Sequence, residues 1–161
     1  VFLSDLGASK QLISIAGILS AIVELPFMLM SDRFLRRIGP HRLMMLALLL
    51  TLAQRLAVVL WPSITTIMIV RFIGGMAFSF YTISYIGLIS GYTDPNETGT
   101  VLALFTVTLA GLVNVVASPI SGALYDAIGG HWLYAFSAAG YAIAAASLWK
   151  NRPELSRSST G

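Results

Sequence analysis

The sequence predicts an all-α membrane protein with about five transmembrane helices, and three observations carry that reading. Of its 161 residues 57% are hydrophobic and only 11% charged, against roughly half and a quarter in an average soluble domain. Mean hydropathy is +0.81. Apolar runs at about 11–31, 43–61, 64–91, 99–124 and 132–149 are each long enough, or nearly so, to cross a hydrocarbon core of roughly 30 Å. The basic residues gather in short stretches beside those runs, as a topology signal does.

The opening VFLSDLGASK lacks the basic and apolar regions of a signal peptide, so the chain is expected to begin inside a longer protein. The first span holds Glu24 and Pro26 and leaves the membrane at Asp32-Arg33. Gln54 and Arg55 lie in the second span, which ends at Trp61. The third carries Arg71, Gly74-Gly75 and an aromatic and hydroxyl stripe of Phe78, Tyr81, Thr82 and Tyr85, and its length allows tilt. Asn114 precedes a break expected at Ser118-Pro119 in the fourth, while small residues in the last, such as Ala138, Ala139 and Gly140, let backbones approach. Residues 150–161 form a polar, basic tail. Trp61, Tyr92, Tyr125, Trp132 and Trp149 fall near span ends, where aromatic rings favour the interface.

Loops alternate sides. Residues 32–42, 92–98 and the tail share one face, with Arg33, Arg36, Arg37, Arg42, Lys150, Arg152 and Arg157, whereas 1–10, 62–63 and 125–131 offer only Lys10. The positive-inside rule makes the first face and the C-terminus cytoplasmic, in a multi-pass protein of the cytoplasmic membrane. The N-terminus then lies outside, which calls for an upstream span.

Composition also excludes. With no cysteine there is no disulfide framework or thiolate site, and His41 and His131 lack metal-ligand spacing, so no metal and no cofactor is expected. The net charge of +3 reflects topology rather than nucleic acid. No phosphate-binding P-loop is present to supply ATP drive. A membrane-embedded enzyme needs a serine–histidine, paired-aspartate or histidine–metal constellation at depth, and the one deep carboxylate is Glu24.

Ionisable groups inside a span cost about 2.5–3.5 kcal/mol at the helix centre and so mark functional candidates. Glu24 lies roughly 12 Å along its helix from Asp32, deep enough to carry a proton whose loss depends on the side to which it opens. The alternative is packing beside the Pro26 kink. Arg55 lies roughly 9 Å from Trp61. It either snorkels outward or points inward with Gln54 to hold an anionic or hydroxyl-rich substrate. Arg71 sits at a similar depth; a direct pair with Glu24 needs tilt or a water bridge. Asn114 is helix glue or a substrate ligand, and Tyr81 and Tyr85 are packing or a cavity wall.

The junction MLMSDRFLRR resembles the loop signature of the major facilitator superfamily, Gly-x-x-x-Asp-Arg-x-Gly-Arg-Arg. Asp32, Arg33, Arg36 and Arg37 match, while Met28 and Leu35 replace the two glycines. Arg71-Phe-Ile-Gly-Gly75 is similar to the family's Arg-x-x-x-Gly, and Ser118-Pro119-Ile-Ser-Gly122-Ala123 to its Gly-Pro-x-x-Gly-Gly. The resemblance covers nearly the whole chain. It implies two six-helix halves built of inverted repeats, in which five spans are helices 2–6 or 8–12; the chain's end after the last span favours 8–12 of a twelve-helix transporter, with the N-terminal bundle of the same protein missing. LGASKQLISIAG and SGALYDAIGG further resemble the branch of sugar–proton symporters and phenylpropionate-type permeases. Arg71 to Phe80 lacks that branch's histidine and glutamate, and Ala110 stands near its lysine position, so a lactose-type proton relay is not carried over.

The implied function is secondary transport of a small solute, a sugar, aromatic acid or drug-like compound, by alternating access in the bilayer with a coupling proton. Glu24, Arg55, Arg71, Tyr81, Tyr85 and Asn114 are the expected substrate or proton pathway. Asp32, Arg33, Arg36 and Arg37 are the expected cytoplasmic gate, a charge cluster able to latch one state. The other reading is a truncated, non-transporting five-span protein that serves as an assembly partner.

Overall fold

The computed structural model describes residues 9–150, and every regular element among these is helical. Readings made for residues 1–8 and for the tail 151–161 lie outside these. The order is α1 (Lys10–Leu29), α2 (Ser31–Ile38), α3 (Pro40–Leu60), α4 (Ile64–Tyr92), α5 (Thr98–Ala103), a π-helical stretch at Leu104–Leu109, and α6 (Ala110–Lys150). Gly129, at φ 80° and ψ 163°, divides α6 into two arms. Pro40–Leu60, Ile64–Tyr92 and Thr98–Lys150 are long and apolar enough to cross a membrane, and Gly17–Leu29 is a shorter apolar helix. The chain is therefore an all-α, multi-pass membrane protein.

Three sequence expectations change. Residues 32–42, expected as a loop, contain α2, because Phe34, Leu35 and Ile38 fall on one face and pack on Leu43, Ala47, Phe80 and Ile83. Arg33, Arg36 and Arg37 occupy the exposed face of that helix. Gly39 at φ 80° then turns the chain, and Pro40 opens α3, where its fixed φ suits a first helical position and its missing N–H costs nothing. Second, the loop expected over 125–131 shrinks to the one non-helical residue Gly129. Third, α6 continues through Pro119, where a break was expected; Pro26 likewise lies inside α1. The irregular turn of the fourth span lies earlier, at Leu104–Leu109, where the Thr106 hydroxyl donates to the Leu102 carbonyl at 2.7 Å and competes for that acceptor.

Packing centres on α4, which lies against α1 and α3, while α3 also meets α6. Phe34 and Phe80 cross edge to face at 5.1 Å and Phe27 meets Phe80 at 5.6 Å, joining α1, α2 and α4 at the arginine-bearing end. Met45 and Leu48 of α3 pack on Ala145 in the second arm of α6. The helices approach closely at Gly75, where a methyl group would overlap the Ser20 carbonyl oxygen of α1. Beside it the fully buried Ser79 hydroxyl donates to the carbonyls of Glu24 at 3.1 Å and Gly75 at 2.9 Å. This small-residue crossing lets van der Waals contact and one interhelical hydrogen bond replace the hydrophobic drive that lipid removes. The first arm of α6 is different: Leu112, Val113, Val115, Val116 and Ile120 are all exposed. Such a face is stable only against lipid or further helices.

Candidate functional site

A cavity of about 850 Å³ lies among α1, α3, α4 and α6. Its walls carry Glu24 from α1, Gln54 and Arg55 from α3, Arg71 and Tyr81 from α4, and Asn114 from the first arm of α6. Each comes from a segment that is otherwise apolar, so the polar groups of four helices converge on one space. The volume falls within the range of roughly 300–1,000 Å³ usual for small-molecule pockets.

The α1–α4 crossing positions Glu24. Its backbone carbonyl is tied to Ser79, and its side chain reaches the cavity from the same turn. Gly74, one residue before the tight contact, keeps space beside α3, where a methyl would meet Gln54 Oε1 at 3.6 Å. Gln54 is only 9% exposed, and its Nε2 and the Nε of Arg55 are closed off without a hydrogen-bond partner. Arg55 lines the cavity. Its Cζ stands 5.2 Å from the ring centroid of Tyr134, a cation–π distance. Arg71 is exposed toward the cavity. Among the described residues no ion pair joins it to Glu24.

Five of the six residues expected in the pathway thus line one cavity: Glu24, Arg55, Arg71, Tyr81 and Asn114. Tyr85 is not in the lining. Its ring lies tilted between Tyr81 and Phe105, each 5.6 Å away, and links the cavity to the π-helical stretch. The expected gate is described in part: Arg33, Arg36 and Arg37 are exposed, and the side chain of Asp32 lies outside the described residues. Among the described residues no three His, Asp or Glu side chains converge as a metal site requires.

Sequence reasoning missed Tyr134 and Tyr141, which form part of the wall from the second arm of α6. Their spacing of two helical turns on one face was the available signal, hidden by an alanine-rich setting that reads as packing.

No curated protein and no solved structure matches the chain. The family model of the Major Facilitator Superfamily matches residues 1–161. With helices long enough to span a bilayer and a polar cavity between them, the chain belongs to the Major Facilitator Superfamily, a family of secondary transporters rather than enzymes.

Proposed function

We propose that this chain is the C-terminal part, helices 8–12, of a twelve-helix transporter that moves a small solute across the cytoplasmic membrane by alternating access, coupled to protons. The observation that carries this reading is the convergence of Glu24, Arg55, Arg71 and Asn114 on one cavity. Charged groups at membrane depth are too costly to retain as decoration. A site between helices that rock about it is the arrangement secondary transporters use.

Glu24 is the proton carrier. It lies in the cavity while its backbone is held on α4, so a rocking motion changes the side to which its carboxyl opens without moving it off its helix. Arg55, Arg71, Tyr81 and Asn114 hold solute, and Tyr85 supports Tyr81. Asp32 with Arg33, Arg36 and Arg37 is the cytoplasmic latch, with the C-terminus on the same side. The uncovered first arm of α6 suits contact with the N-terminal bundle of the same protein. The solute classes that fit are sugars, aromatic acids and drug-like compounds, as in the sugar–proton symporter and phenylpropionate permease branch.

The test is uptake into vesicles carrying the whole gene product under an imposed pH gradient. Glu24→Gln is expected to abolish gradient-driven accumulation and to retain counterflow exchange. Accumulation that survives the substitution removes the proton-carrier role. If no solute moves even with the companion bundle present, the chain is an assembly partner only.

A further inference from the structure

The cavity has an uneven chemistry. Two guanidiniums, Arg55 and Arg71, face one carboxylate, Glu24, so the balance is positive. The unmet groups are donors as well: Gln54 Nε2 and Arg55 Nε lack partners, on neighbouring residues of α3, and Gln54 is more than nine-tenths buried. A polar group closed off in this way is costly unless something accepts its hydrogen bond. Tyr134 holds the Arg55 guanidinium by its ring face.

Resting on the transport reading above, we infer that Gln54 and Arg55 form an anion subsite, and that the solute is an organic monoanion with a carboxylate head and an apolar body. A planar carboxylate matches the fork of a guanidinium and brings acceptors only, which is what this wall lacks. A sugar brings as many donors as acceptors and leaves the charge balance uncorrected. A dianion is disfavoured by Glu24, while a single negative charge offsets the excess guanidinium. The body of the ligand meets the aromatic remainder of the wall, Phe78, Tyr81 and Tyr141. Arg71, on the neighbouring α4, adds a second positive charge to the same lining.

The test uses the whole gene product in lipid nanodiscs with radiolabelled benzoate as probe, competed by unlabelled benzoate, benzamide, inorganic phosphate or glucose. Benzoate is expected to compete and the other three to fail. Arg55→Gln and Gln54→Leu are each expected to weaken benzoate binding by about 10- to 100-fold, the range for a lost hydrogen bond to a charged group. Glu24→Gln is expected to leave binding equal or tighter, because it removes the repelling charge. Gln54→Leu separates recognition from folding: it replaces an unpartnered buried amide with hydrocarbon, so thermal stability is expected to hold or rise while affinity falls.

Competition by benzamide equal to that by benzoate overturns the proposal, as does unchanged benzoate affinity in Arg55→Gln. The transport reading fails separately. Uptake of a neutral solute that needs Glu24, with no benzoate binding, keeps transport and removes the anion subsite. Arg55-dependent benzoate binding with no counterflow keeps the subsite and removes transport.

Discussion

Gly75→Ala tests whether the α1–α4 crossing holds the site together. An alanine Cβ there would overlap the Ser20 carbonyl oxygen and stand 3.1 Å from the Glu24 nitrogen and 3.2 Å from the Ser20 carbonyl carbon. All three atoms are backbone, so no side chain can rotate away and α1 must retreat. Retreat stretches the Ser79–Glu24 bond, now 3.1 Å. Overpacking costs about 1–3 kcal/mol, and interhelical hydrogen bonds in membranes average about 0.6 kcal/mol. Gly74→Ala is the internal control: its methyl meets Gln54 Oε1 at an ordinary 3.6 Å. Both substitutions gain the same helix propensity over glycine, so this term cancels when they are compared. Gly75→Ala is therefore expected to be less stable than Gly74→Ala by about 1.5–3.5 kcal/mol. The assay is reversible unfolding in mixed micelles titrated with sodium dodecyl sulfate. Equal stabilities for the two variants refute the close-approach argument and, with it, the account of what positions Glu24.

Ser79→Ala removes a fully buried hydroxyl shared between two carbonyls and is expected to cost about 0.5–1.5 kcal/mol in the same titration; a neutral result means the hydroxyl does not bridge α1 and α4. Gly39 and Gly129 both have φ 80°, with ψ of 154° and 163°, a region open essentially to glycine alone. Alanine at either is expected to destabilise by about 1–3 kcal/mol, and a wild-type midpoint for both variants contradicts the turn geometry. Asp32→Asn is expected to shift the access equilibrium, read as at least about a five-fold change in maleimide labelling of a Val70→Cys reporter in the cavity wall. These 161 residues contain no cysteine of their own, and any in the remainder of the gene product is replaced before labelling. An unchanged labelling rate removes the latch role.

Hydropathy and charge alone establish the membrane class and the all-α class, because a bilayer leaves the backbone few ways to satisfy its polar groups. The same economy singles out Glu24, Arg55, Arg71 and Asn114, since polar groups within apolar runs are visible without knowing what they face. Sequence does not reveal that four helices turn these groups toward one another. That depends on helix rotation and tilt, set here by the Gly75 crossing and the Ser79 bond, contacts between residues distant in the chain. The amphipathic α2 was masked for a related reason: its few apolar residues, Phe34, Leu35 and Ile38, acquire meaning only once Phe80 and Ile83 are beneath them. Tyr85 shows the limit from the other direction, sharing the sequence stripe of Tyr81 yet packing against Phe105 outside the cavity lining. The sequence by itself determined which residues are expensive in a membrane; the tertiary structure decided which of them share a space, because spacing along a helix fixes its faces but not the neighbours those faces meet.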